Sequence, residues 1–258
     1  MNPEAARRAE VALESEIAAL DVGRARLRER FPGGPEAHVA QYREWLRTEL
    51  TYTSNAIEGS TLSSVETRMV VEDDAIIPDK SLREHLEARD HAIAWDYATD
   101  VLESRPSIEA TDLLELHRRI LYSTNHHEAG FFRRGAVRVA GSQTVFPNPL
   151  KVPDLIDRLI DDINHRPVDM HPVVHAALMH LDFVKVHPFV DGNGRTARIL
   201  MNLLLRRGGY PAIPIYPKDR LAYLNAIERA DMDNGEEFVH VVVCLADETI
   251  DQLLASTE

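Results

Sequence analysis

The run His187-Pro188-Phe189-Val190-Asp191-Gly192-Asn193-Gly194-Arg195-Thr196-Ala197-Arg198 lies between two helical patterns. Before it, Pro172 to Val186 places Val174, Ala177, Leu178, Leu181 and Val184 at helical stripe spacing. Val173, Ala176, Met179, Phe183 and Val186 widen that stripe nearly all the way round. Such a helix belongs in the middle of a protein. After the run, the apolar periodicity of a second helix continues through Arg207. A glycine-containing loop that opens a helix presents successive backbone N–H groups where the macrodipole is positive, so the run reads as an anion cradle. Gly192 and Gly194 permit close approach of a phosphate, Asn193 can order the loop, and Arg195 and Arg198 supply cations beside the helix start.

His187 stands at the entrance of this cradle, where an imidazole titrating near neutrality can take the proton of an incoming hydroxyl. Asp191 is a hard oxygen ligand of the kind that holds Mg²⁺ together with substrate phosphates. Each fragment alone has an ordinary reading: Gly-Asn-Gly is a turn signal and Arg-x-x-Arg a solvated helix face. A base, a metal ligand, an anion cradle and two arginines within one short run describe phosphoryl or nucleotidyl transfer.

The rest of the composition makes that loop an exception. The 258 residues include 29 Lys+Arg against 42 Asp+Glu, a formal charge of −13. The mean field therefore repels nucleic acid and anionic lipid, and neither is expected as a partner. A single cysteine, Cys244, excludes an intramolecular disulfide and any multi-cysteine metal site. Its place in Val241-Val242-Val243-Cys244-Leu245 reads as a small buried hydrophobe. No stretch reaches the roughly 18 apolar residues of a membrane span and the first residues lack an apolar leader core, so a cytoplasmic location is the expectation.

Helical periodicity dominates elsewhere. Segments are expected over 4–20, from near Glu36 toward Gly59, and over 82–102, 108–121, 153–163, 218–230 and 236–254. Pro153 and Pro172 suit a first helical turn, and Asp219 is placed to cap the helix after it. One strand signal stands out, Ala136-Val137-Arg138-Val139-Ala140, then Gly141-Ser142-Gln143, then Thr144-Val145-Phe146, which reads as a short β-hairpin. The fold class is mainly α with that one hairpin.

The run from His187 to Arg198 resembles the Fic motif, His-Pro-Phe-x-Asp/Glu-Gly-Asn-Gly-Arg-x-x-Arg, at every specified position. The resemblance implies a helical Fic core over 106–258, closed by a C-terminal helix, behind an N-terminal helical region over 1–105. It also implies transfer of AMP from ATP to a Ser, Thr or Tyr hydroxyl of a target protein. In that scheme His187 deprotonates the hydroxyl and Asp191 holds Mg²⁺. The backbone of Gly192, Asn193 and Gly194 forms the anion hole, Arg195 contacts phosphate and Arg198 the γ-phosphate. Tyr223 would pack against the nucleotide, and the hairpin, Val139, Ala140 and Gly141 included, would be the flap that clamps a target by strand addition. Ungapped comparison puts Asp231 where a nucleotide-contacting Asn is expected, a departure on the adenine side. Gly192 argues against the phosphate-transferring relatives. The resemblance leaves a homodimer open.

Upstream lies Thr53-Ser54-Asn55-Ala56-Ile57-Glu58-Gly59-Ser60. Taken bare, it is a helix end with Gly59 as its C′ residue. Ser54-x-x-x-Glu58-Gly59 also resembles the Fic inhibitory motif of the class II proteins, which carry it on a helix N-terminal to the core. There Glu58 would pair bidentately with Arg198 and exclude the γ-phosphate, leaving ATP badly posed for in-line attack. The same carboxylate implies an alternative, hydrolytic removal of AMP from a modified protein. A nucleotide-binding regulator with a silent site is the non-enzymatic alternative, which the presence of His187 disfavours. His171 and His175, four apart near Asp169, read as structural in the absence of a clear third ligand.

Overall fold

The computed structural model describes residues 3–38, 41–138, 144–230 and 235–255. Among them are eleven α-helices: α1 Pro3–Ala12, α2 Glu14–Arg30, α3 Tyr42–Ile57, α4 Ser64–Glu72, α5 Leu82–Tyr97, α6 Ala110–Leu121, α7 Val152–Asn164, α8 Pro172–Val186, α9 Asn193–Arg207, α10 Arg220–Arg229 and α11 Glu236–Ala255. No helix among the described residues is long and apolar enough to cross a membrane.

The nearly all-apolar α8 is the central helix. Its residues from Val173 to Leu181 are all buried, and it packs chiefly on α9, with α7, α11 and α1 around it. α9 is buried from Arg195 to Leu205, so the loop between the two most enclosed helices is held from both ends. α5 lies against α6, α3 and α4, and α3 touches α9. One apolar cluster runs through the molecule, from Ala9, Leu20 and Leu27 to Val242 and Leu253. Ordering the loop is thus shared by helices from both ends of the chain.

Several expectations shift. The first helical segment divides at Leu13 into α1 and α2, and α2 continues to Arg30. The second begins only at Tyr42, after a 3₁₀ turn over Pro35–Ala37. α5 ends in a π-turn over Ala98–Leu102, and α4, which the reading by periodicity omitted, starts at a capping box between Ser63 and Glu66. Asp219 precedes α10 without capping it through its side chain. Cys244 is exposed rather than buried, because α11 turns Phe238, Val239, Val242, Val243 and Ala246 inward and leaves position 244 on its outer face. The expected hairpin has no strand among the described residues. Ala136–Arg138 and Thr144–Phe146 are irregular, and Val139, Ala140 and Gly141 lie outside the described residues, as does Asp231.

Candidate active site

α8 stops at His187, whose backbone is left-handed with φ 48°, while its N–H still bonds to the Phe183 carbonyl. A non-glycine residue adopts this region only when its surroundings enforce it. Two devices do so here. Phe189 is fully buried and stacks on the His117 ring, with centroids 3.5 Å apart and planes 1° from parallel. Buried Arg133 gives Nε to the His187 carbonyl at 2.7 Å, Nη1 to the Gly135 carbonyl at 3.1 Å and Nη2 to the Pro147 carbonyl at 2.6 Å. Its own N–H bonds to the Pro188 carbonyl at 2.9 Å. An arginine fork with no carboxylate partner thus ties the end of α8 to the segments on either side of the expected flap.

The loop is closed from within by Asn193, whose Nδ2 donates to the Phe189 carbonyl and whose Oδ1 accepts from the Phe189 N–H, both at 2.9 Å. Gly192 caps α9 with φ +77°, and a Cβ there would come 3.3 Å from the His117 ring. His117 Nδ1 accepts from the Gly130 N–H at 3.0 Å, so Nε2 carries the proton and donates to the Asp191 carbonyl, also at 3.0 Å. Burial pushes His117 down to about 4, against the pull of the Asp191 backbone and carboxylate, which keeps this tautomer neutral.

His187 is pushed down to about 4, first by burial. The Val184 carbonyl, Glu58 and Asp191 work the other way, and Arg133 adds to the lowering. The ring is therefore neutral at physiological pH, with a nitrogen free of its proton and able to accept one. Phe146, from the second arm of the expected flap, stacks on it at 4.0 Å between centroids.

Arg195 is only 3% exposed in its side chain and lies 3.4 Å from Asp191 Oδ1 and 3.5 Å from Glu87 Oε1. Its Nε and Nη1 are buried without a hydrogen-bond partner. Such orphaned charged donors suit an anion that brings its own acceptors. Asp191, 43% exposed, also accepts its neighbouring Gly192 N–H at 2.6 Å. Among the described residues no group of three His, Cys, Asp or Glu side chains is placed to hold a metal. The half-exposed Asp191 carboxylate is a hard oxygen donor, the chemistry of a Mg²⁺ site that takes one protein carboxylate and completes its shell with phosphates and water.

Arg198, 5% exposed, is fixed from the other side. Nε donates to Ser54 Oγ at 2.9 Å, Nη2 to the Ser54 carbonyl at 3.0 Å and to Glu58 Oε1 at 2.6 Å, and Nη1 to Tyr223 Oη at 3.4 Å. The pair with Glu58 uses a single carboxylate oxygen and a single nitrogen, not the bidentate fork expected, because Ser54 has already taken Nε and shares Nη2. Gly59 explains how Glu58 is aimed. With φ +104° it forms a Schellman end on α3, its N–H bonding to the Ala56 carbonyl and the Ser60 N–H to the Asn55 carbonyl. The ordinary reading of Gly59 and the inhibitory one describe the same turn. A methyl group on Gly194 would overlap Glu58 Oε1, so the carboxylate stands on the first turn of α9, inside the cradle.

Tyr223 lies fully buried behind Arg198, its hydroxyl accepting from that guanidinium and bonded to His180 Nε2 at 2.9 Å. His171 accepts the Val173 N–H as cap of α8, and His175 Nε2 meets the Asp162 carbonyl at 3.0 Å, so both serve structure. His117, Arg133 and Phe146 were not legible as site residues. They reach the loop from 74, 54 and 41 positions upstream of Asp191, His187 and His187 only once the helices have packed, with no local pattern to mark them.

Comparison with known proteins places this geometry. Residues 107–205 match the Fic/DOC family. A structure of Fic-1 from C. elegans superposes with TM-score 0.84 at 30% identity, covering 97% of this chain and 75% of that one. "Protein adenylyltransferase Fic" of Drosophila willistoni is 35% identical over 245 residues, 95% of this chain and 48% of its own length. The protein of the same name from Nematostella vectensis is 38% identical over 209 residues, 80% of this chain and again 48% of its own. The chain spans about half the length of the curated relatives it matches.

Proposed function

The chain belongs to the Fic/DOC family, and from that premise we propose that it transfers AMP from ATP to a hydroxyl side chain of a target protein, with Glu58 holding the reaction in check. The relatives named adenylyltransferases support the chemistry. The observation that carries the reading is the juxtaposition of neutral His187 with two buried cations, one of them short of acceptors and the other covered by a carboxylate.

The target hydroxyl oxygen attacks the α-phosphorus, its bond to phosphorus forms as the α–β bridging bond breaks, and pyrophosphate leaves with the electron pair. His187 accepts the hydroxyl proton. Its Nδ1 is buried, so Nε2 is the nitrogen left to take it. Arg195 and the amides that open α9 bind and orient the phosphates. Asp191 would hold Mg²⁺, which when bound supplies charge neutralisation on the phosphate oxygens. Glu58 places a negative charge where the γ-phosphate would sit and occupies its cation, so bound ATP is turned away from the in-line pose. Phe146 stacks on His187 at the entrance, and strand addition of the target to the expected flap is the matching mode of protein recognition.

The test is transfer of label from α-labelled ATP to the protein itself or to a lysate, by the wild type, Glu58→Gly and His187→Ala. Strong labelling by Glu58→Gly, weak labelling by the wild type and none by His187→Ala is expected. Equal signals from wild type and Glu58→Gly would remove the inhibitory role, and label arriving only from γ-labelled ATP would mean phosphate transfer. Release of AMP from a modified target by the wild type, and not by Glu58→Gly, would turn the reading into removal.

A further inference from the structure

The N-terminal helices cover both poles of the loop, each with the opposite charge. Glu58, capping α3, meets Arg198, and Arg83 of α5 meets Asp191, Nη2 to Oδ2 at 3.4 Å. Arg83 sits in the first turn of α5, whose direction is fixed by a capping box between Ser81 and Glu84. Its Nε donates to Glu87 Oε1 at 2.9 Å, one helical turn on. That same oxygen stands 3.5 Å from Arg195 Nη1, and Arg195 Nη2 stands 3.4 Å from Asp191 Oδ1. Arg83, Glu87, Arg195 and Asp191 therefore close a ring of alternating charge.

The four members are unequal. Arg195 and Glu87 are buried, 3% and 14% exposed in their side chains, whereas Arg83 is 65% exposed. Positive donors engage both Asp191 oxygens: Arg195 and the Gly192 N–H at Oδ1, Arg83 at Oδ2. A divalent cation cannot share an oxygen closely with a guanidinium, since like charges at contact repel. Of the three donors, the amide belongs to the backbone and Arg195 is enclosed. Arg83 alone is a long side chain in solvent, with Glu87 already placed to receive it.

We propose that Arg83 is the counter-cation of Asp191 in the metal-free site, and that a divalent cation enters by displacing it toward Glu87, so that Arg83 sets how tightly the site takes metal. The proposal rests on the reading of Asp191 as the metal ligand and not on AMP transfer. The full chain, labelled with ¹⁵N, is titrated with Mn²⁺ alone, and binding is followed by paramagnetic broadening of the Gly192 and Gly194 amide signals. Arg83→Gln should shift the midpoint to about two- to fivefold lower Mn²⁺, the scale of one exposed ion pair. Arg83→Lys, which keeps the charge, should stay near the wild type, and the gap should narrow as added salt screens the pair. Asp191→Asn should abolish the broadening. An Arg83→Gln midpoint equal to or above the wild type overturns the proposal, as does broadening that survives Asp191→Asn. A failure of Glu58→Gly to transfer AMP would leave these midpoints where they are, so the two readings fail separately.

Discussion

Glu58 Oε1 lies 2.6 Å from Arg198 Nη2, joining the end of α3 to the second turn of α9 across 140 residues of chain. The contact is one charge-assisted bond, and the remaining grip on Arg198 comes from Ser54 and Tyr223. The proposed inhibition would therefore be divided between a carboxylate that blocks and neutral groups that hold the cation in place.

That division predicts a partial release. Ser54→Ala removes the acceptor of the buried Arg198 Nε, a loss on the scale of about 1–3 kcal/mol for a buried charged donor left without its partner. AMP labelling should rise to a level between the wild type and Glu58→Gly. The midpoint of thermal unfolding should fall by a few degrees, as roughly 1 kcal/mol does in a protein of this size. Labelling indistinguishable from the wild type would mean that Glu58 alone carries the block.

Gly194 separates the block from the cradle. Its added methyl group would overlap Glu58 Oε1 and stand 2.9 Å from Arg198 Nη1. Glu58 is a flexible end and can yield, so Gly194→Ala should loosen the ion pair. The methyl group then occupies the space the phosphate needs, and labelling should stay low both alone and combined with Glu58→Gly, with ATP affinity reduced in both. Activation by Gly194→Ala would show that the phosphate does not approach α9 this closely.

What the sequence made legible follows from distance along the chain. The run from His187 to Arg198 is contiguous, and the helix dipole and glycine arguments need only local order. Glu58 was found because Ser54 and Gly59 surround it in a short pattern of its own. Arg133, His117 and Phe146 carry no such pattern: a buried arginine that serves three carbonyls looks, in a sequence, like any surface arginine. The division of the first helix at Leu13 and the outward turn of Cys244 were missed for another reason. Apolar runs report that a helix exists, but the rotation of each residue about it is set by which neighbours dock.

Arg133 supports the next expectation. Its three bonds leave a planar fork in fixed directions, which a lysine ammonium cannot reproduce. In the Glu58→Gly background, Arg133→Lys should lower kcat by about tenfold or more, since misplacing a base by a fraction of an ångström is costly. KM for ATP should change little, because Arg133 touches none of the phosphate-facing residues. A fall in ATP affinity with kcat preserved would place Arg133 at the nucleotide instead.

Acid should act on this protein in two windows that the buried histidines define. His187 is held down to about 4, so the base form is present throughout the neutral range, and labelling by Glu58→Gly, which also loses the Glu58 charge that raises the ring, should persist to near pH 5 and be half lost no higher than about pH 4. A midpoint near 6.5 would mean an unperturbed, solvent-exposed ring. Stability follows the opposite bookkeeping of protons. His117 and His187 are pushed to about 4, and His91 and His180 to about 3, in each case chiefly by burial. Between about 6.5 and these lowered values the unfolded chain binds protons that the folded chain refuses. Each group's contribution is complete above 6.5 and is lost as the pH falls, at up to about 1.4 kcal/mol per pH unit. The urea midpoint should therefore drop steeply between pH 6.5 and 4, and above pH 7 these four groups should have no effect on it. Replacing His180, whose Nε2 bonds to Tyr223 Oη, with Gln should lower the midpoint at pH 7 while reducing its slope below pH 6. An unchanged slope in that variant would remove His180 from the proton count and leave the acid response to the other buried histidines.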